Sequence, residues 1–148
     1  MISDKEMSIV IVEDSYFKIQ TAARMLARHF DDALRSLGLT NGQFILMVLL
    51  DRSAPASMAK LSAQLCVDRS TLTAALKPLE RRRLLRIQPH STDRRIKQIL
   101  LTNLGKELME MAIPVWEEAK LKIGPALPRK HLEKLHEALR HLRHSREA

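Results

Sequence analysis

Residues 57–102 read SMAKLSAQLCVDRSTLTAALKPLERRRLLRIQPHSTDRRIKQILLT. Ser57 can cap a helix that carries Met58, Leu61 and Leu65, and Cys66-Val67 makes a tight connection. Asp68 then caps a second helix with Leu72, Ala75, Leu76 and Leu79 on one face. Arg81, Arg82 and Arg83 close it, where cations complement the negative end of the helix dipole. Leu85 to Gln88 and Ile96 to Leu101, joined by Pro89-His90-Ser91-Thr92-Asp93, read as a β-hairpin with a polar, basic tip. Helix, tight turn, helix and basic hairpin together outline a winged helix-turn-helix.

Charge singles out the same stretch. The 148 residues hold 25 Lys+Arg against 17 Asp+Glu, a formal net charge of +8. Residues 57–102 contain 10 basic and 3 acidic side chains, leaving one excess charge for the rest of the chain. A solvated face interleaves both signs, whereas a single-sign cluster of this size is an anion-binding surface, and nucleic acid is its commonest partner. Arg69, Ser70, Thr71, Thr73, Ala74 and Lys77 point away from the Leu72–Leu76–Leu79 face and form the groove-facing set.

Outside this stretch the pattern is helical. Ile9-Val-Ile-Val-Glu-Asp-Ser15 has the look of a receiver domain's first strand, but the alternating strand–helix units of such a fold do not follow. Ile19, Ala22, Ala23, Leu26, Phe30, Ala33, Leu34 and Leu37 instead predict one long amphipathic helix, capped by Asp14 or Ser15 and stopped by Gly38. Thr40 to Gln43 has capping-box form and opens a short helix through Leu50, with a loop from Asp51 to Ala56. Thr102 caps a long helix through Ala119 with a kink expected at Pro114. Leu132, Leu135, Leu139 and Leu142 form a narrow seam on a last helix. His131, His136, His141 and His144 resemble a metal tract, yet their spacing puts only the last two on one face, so a solvated basic helix is the reading. Four Gly and 3% aromatics argue against a β-sandwich, and one cysteine excludes an internal disulfide. No apolar run reaches the ~20 residues of a membrane span, and residues 1–12 lack the h-region of a signal peptide. A cytoplasmic protein with no membrane association is expected.

The order of motifs resembles the MarR (multiple antibiotic resistance regulator) family. The residues that carry the likeness are Leu39-Thr40-x-x-Gln43-Phe44, Leu61-x-x-x-Leu65-x-Val67-Asp68-Arg69-Ser70-Thr71-Leu72-Thr73, Leu79-Glu80-Arg81-Arg82, Asp93-Arg94-Arg95 and Leu101-Thr102-x-x-Gly105. It extends from about Tyr16 to Leu142. The resemblance implies a mainly α fold with a small β-hairpin wing, in which 57–102 is the winged helix-turn-helix and 1–37 with 103–148 form a dimerisation lobe of one 1–148 domain. It further implies a homodimer on double-stranded DNA, with Ser70, Thr71 and Thr73 at recognition-helix positions, Arg95 as the wing-tip arginine and Asp93 as the acid that orients it. Three residues depart from the family pattern: Ala74 where many members carry Arg, Pro78 inside the recognition helix, and Arg83 where a helix-ending Gly is common.

Arg69, Lys77, Arg81, Arg94 and Lys97 are expected at phosphates, whose contribution falls as salt rises. In relatives the first, second and fifth helices line an effector pocket, which nominates Phe17, His29, Phe30, Phe44, Met47, Met111 and Trp116, with core packing as the other reading of each. Cys66 is either a turn-packing residue or a thiol that senses oxidants. No nucleophile–base pair, metal-ligand spacing or Gly-rich phosphate loop is present, so neither an enzyme nor a cofactor is implied. The expectation is a ligand-responsive repressor on a pseudo-palindromic operator, and the alternative is a non-specific architectural nucleic-acid-binding protein.

Overall fold

The computed structural model describes residues 4–145. Its elements are α1 (Asp4–Glu13), α2 (Ser15–Leu34), α3 (Asn41–Arg52), β1 (Ala56–Ser57), α4 (Met58–Leu65), α5 (Arg69–Arg81), β2 (Leu85–Pro89), β3 (Lys97–Leu101), α6 (Asn103–Ile123) and α7 (Arg129–His144). A 3-10 turn, Arg35–Leu37, extends α2 and ends at Gly38, whose φ of 64° lies in the left-handed region that glycine adopts freely.

The helix starts are set by short polar side chains. The Asp14 carboxylate accepts the Tyr16 N–H at 2.7 Å, and Ser57 Oγ accepts the Lys60 N–H at 3.2 Å. Thr40 and Gln43 form a reciprocal capping box, with bonds of 3.2 and 3.0 Å between each side chain and the other's N–H. Asp68 caps α5 and Thr102 caps α6 in the same way. Each cap satisfies N–H groups that have no partner inside the helix.

Leu61 of α4 and Leu72, Leu76 and Leu79 of α5 share one buried core with Leu46, Met47 and Leu50 of α3 and with Leu85 and Ile99 of the sheet. Pro78 stands inside α5, which nevertheless continues to Arg81. An internal proline costs about 3 kcal/mol, while burying one leucine side chain contributes about 1.5–3 kcal/mol. Three buried leucines on the same helix therefore outweigh it. Elsewhere α2 and α6 pack together with α3 against both, and the small buried Ala112 and Ala119 let the helices approach. α6 runs as one helix through Pro114.

Two elements differ from the sequence reading. Residues 4–13 form a helix, ended where Asp14 starts α2, although Ile9–Val12 carries no helical period of its own. The expected loop 51–56 is shortened from both sides: α3 reaches Arg52, and Ala56–Ser57 pair with β3 as a third strand. The wing is thus a three-stranded antiparallel sheet in the order β1-β3-β2, with Leu85 opposite Leu101 and Ile87 opposite Ile99. Of the histidine tract, His131, His136 and His141 are exposed on α7, and the side chain of His144 lies outside the described residues.

Among the described residues, two other than glycine adopt the left-handed conformation, both at helix ends: Cys66 at φ 54° and Arg83 at φ 58°. After α5 the Leu84 N–H bonds to the Leu79 carbonyl at 2.9 Å and the Arg83 N–H to that of Glu80 at 2.9 Å, closing a Schellman turn. The same chain return meets Gly105, where an added Cβ would lie 2.0 Å from the Leu84 carbonyl oxygen. Opposite outcomes follow at these two sites. Arg83→Gly removes a Cβ penalty and is expected to stabilise by about 1 kcal/mol. Gly105→Ala forces the Leu84 backbone aside and is expected to destabilise by about 2–3 kcal/mol. Urea unfolding of both variants checks the pair.

Candidate nucleic-acid interface

Asp68 organises the exposed start of α5. Its Oδ1 accepts both the Thr71 N–H and the Ser70 hydroxyl at 2.7 Å. One turn on, the Thr73 hydroxyl donates to the Arg69 carbonyl at 2.8 Å. Both hydroxyl protons are therefore committed within the chain, and the oxygens of Ser70 and Thr73 present lone pairs outward. As placed, they suit donor groups such as the amino groups of adenine or cytosine in a major groove. The Thr71 N–H, then the Ser70 and Thr71 hydroxyls, hold the Asp68 carboxyl below its usual 3.8.

The wing tip is built by its own backbone. The His90 N–H bonds the Ile96 carbonyl at 2.8 Å, and the Ile96 N–H bonds the Asp93 carbonyl at 3.0 Å. The Asp93 carboxylate accepts the Arg95 N–H at 3.0 Å. Asp93 thus fixes Arg95 through the main chain, and no bond from the carboxylate to the guanidinium is present. The arginine side chain remains exposed.

Between α5 and the wing lies a groove of about 440 Å³ lined by Arg69, Thr73 and Lys77 from the helix and Arg94, Arg95 and Lys97 from the wing. Five cations from two separate elements converge there against one acid, Glu80. Ser70, Thr71, Ala74 and Asp93 are exposed but stand outside its lining. Gln88 and Glu80 line the groove and were not singled out from the sequence, because only the pairing of β2 with β3 turns Gln88 toward α5.

The seven candidate effector residues divide. Phe30 and Trp116 stack at 4.8 Å and 14°, Phe44 leans on Trp116 at 6.2 Å, and Met47 is fully buried. Trp116 Nε1 donates to Asn41 Oδ1 at 3.2 Å, so this cluster joins α2, α3 and α6 as packing. His29 Nε2 donates to the Ala119 carbonyl at 2.9 Å and lines a cavity of about 290 Å³ with Asp32, Glu118 and Lys122. Phe17 lies instead in a groove with Val10, Ile11 and Tyr16, and Met111 is 59% exposed. Cys66 is exposed in the turn, with Sγ 3.7 Å from the Ala63 carbonyl.

A family model, that of the MarR family, matches residues 39–97. The transcriptional regulator MosR of M. tuberculosis, solved in complex with DNA, is 30% identical and superimposes with a TM-score of 0.80 over 91% of this chain and 97% of its own. The chain belongs to the MarR family. It is a DNA-binding transcription regulator, in a family of regulators and not of enzymes. Among curated relatives, the transcriptional regulator SarZ of Staphylococcus epidermidis is 27% identical over 68% of this chain and 72% of its own length. The transcriptional repressor NicR of Pseudomonas putida is 33% identical over 51% of this chain and 48% of its own. The family match spans α3 through the start of β3, and so contains both elements that line the groove.

A carboxyl depressed in the folded state contributes stability above its unfolded pKa and loses it as pH falls through the folded value. Asp68→Ala is therefore expected to lower the melting temperature fully at pH 7, and the gap to wild type should close as pH drops below about 4. Thermal unfolding from pH 7 to pH 2.5 measures it.

Proposed function

We propose that the chain is a homodimeric, ligand-responsive repressor of the cytoplasm that binds a pseudo-palindromic operator in double-stranded DNA. The observation that carries this reading is the groove in which Arg69 and Lys77 of α5 face Arg94, Arg95 and Lys97 of the wing. A helix and a two-stranded ribbon facing a common cleft suit a duplex, with α5 in the major groove and the wing tip at the adjacent backbone or minor groove. Segment 57–102 is then the reading head, and 1–37 with 103–148 form the dimer lobe. The ends of both lobe segments lie outside the described residues. Two heads would read half-sites about 34–36 Å apart.

Exposed apolar side chains on the lobe helices support the dimer. Tyr16 and Met25 of α2, Leu121 of α6 and Leu142 of α7 are each more than half exposed in the single chain. Leu135, Leu139 and Leu142 lie on one face of α7, and an exposed apolar stripe of this kind marks an association site. A ligand at the His29 cavity between α2 and α6 could alter how two lobes set the spacing of the heads, which links its binding to release of DNA.

Arg95→Ala is expected to weaken operator binding by about 1–3 kcal/mol. Gel-shift titration on DNA selected from a random pool measures this, and a preference below about 10³-fold over unrelated DNA would favour the architectural alternative. In a second experiment, Leu135→Glu with Leu139→Glu places two carboxylates on the α7 seam. Light scattering should then report a monomer where wild type is a dimer.

A further inference from the structure

The three arginines that end α5 part company. Arg83 occupies the left-handed turn, whereas Arg82 reaches back to the lobe. Its Nη1 donates to the Gly38 carbonyl and its Nη2 to the Leu37 carbonyl at 3.4 Å. Those carbonyls belong to the end of the 3-10 extension of α2, where backbone acceptors lack intrahelical donors and the helix dipole is negative. A guanidinium fork meets both acceptors at once, which a lysine ammonium on one flexible stem does not.

A second arginine makes the converse contact. Arg143, near the end of α7 in the lobe, donates through Nη2 to the Gln64 carbonyl at 3.0 Å. Gln64 lies in the last turn of α4, the first helix of the reading head. Each helix of the helix-turn-helix is thus tied at its C-terminal end to a lobe helix, α5 by its own arginine and α4 by a lobe arginine. A tilt of 57–102 against the α2 and α7 ends changes the geometry of both ties.

We propose that Arg82 and Arg143 are positioning residues that fix the attitude of the reading head to the lobe, and that neither charge serves as a DNA phosphate contact. This rests on the reading of the chain as an operator-binding dimer, and it adds where the lobe's arrangement is passed to α5. Both arginines are exposed, so each tie is individually weak. Such ties set an angle without preventing a change between two angles.

The test uses the full chain with a selected operator and with unrelated DNA, across a salt series. Arg82→Ala, Arg82→Lys and Arg143→Ala are each expected to lose roughly 2- to 5-fold in operator affinity. Affinity for unrelated DNA and the slope of log affinity against log salt should stay unchanged. Arg82→Lys is the deciding variant, because it keeps the charge and loses the fork, and it serves if Arg82→Ala fails to fold. Equal losses on both DNAs with a shallower salt slope, and recovery in Arg82→Lys, would show phosphate contacts and overturn the proposal. Wild-type operator affinity in the variants would overturn it too. Hydrogen exchange of the free protein gives an arm independent of DNA: Arg82→Lys should speed exchange at the Gly38 and Leu39 amides, and unchanged rates would refute the clasp. Wild type showing no sequence preference while exchange responds as expected would sink the operator reading and leave the clasp standing.

Discussion

Thr102 holds together three parts of the molecule that must keep a fixed relation. Its hydroxyl donates to the Arg83 carbonyl at 2.7 Å and accepts the Gly105 N–H at 3.1 Å, while its own N–H bonds the Leu84 carbonyl at 3.1 Å. The end of α5, the exit of β3 and the start of α6 therefore share one short residue. Gly105 permits this, since any side chain there would collide with the Leu84 carbonyl. The backbone left-handed turn at Arg83 brings that carbonyl into reach. Without this node the wing and the recognition helix would be two basic elements on a common core; with it they are two walls of one groove.

α5 also accommodates a proline in its interior. The missing N–H of Pro78 leaves the Ala74 carbonyl without its usual donor, and Ala74 sits on the exposed face. The buried face meanwhile keeps Leu72, Leu76 and Leu79 in the core. The family's arginine is absent from that position, so the middle of α5 offers a small, uncharged surface between the cations at Arg69 and Lys77.

What was legible in the sequence was local. Asp14, Thr40, Ser57, Asp68 and Thr102 each cap the helix they were read to cap, because a cap needs only its own residue and the next turn. The convergence of charge on 57–102 likewise anticipated the groove, although not that Ser70 and Thr71 would stand beside it instead of in it. Strand β1 was not legible: Ala56 and Ser57 are too few for a period, and their conformation comes from Ile99 and Gln98 across the sheet. The same applies to Arg82, one of three identical neighbours in the chain, whose partner lies more than forty residues away. Phe30, Phe44 and Trp116 come from three different helices, and no local pattern shows that Trp116 stacks on Phe30 and tilts against Phe44.

The strand order β1-β3-β2 has one more consequence. It leaves β2 at an edge of the sheet, with a row of backbone groups that another wing could pair with. That edge carries the exposed Arg86 near its start and ends on Pro89, which has no N–H to donate. A cation and a proline are devices by which proteins keep edge strands from joining. Like charge on every wing then makes two copies of this chain repel at the very edge where their backbones could otherwise zip together, so the cations of the wing also keep it from aggregating with its own kind.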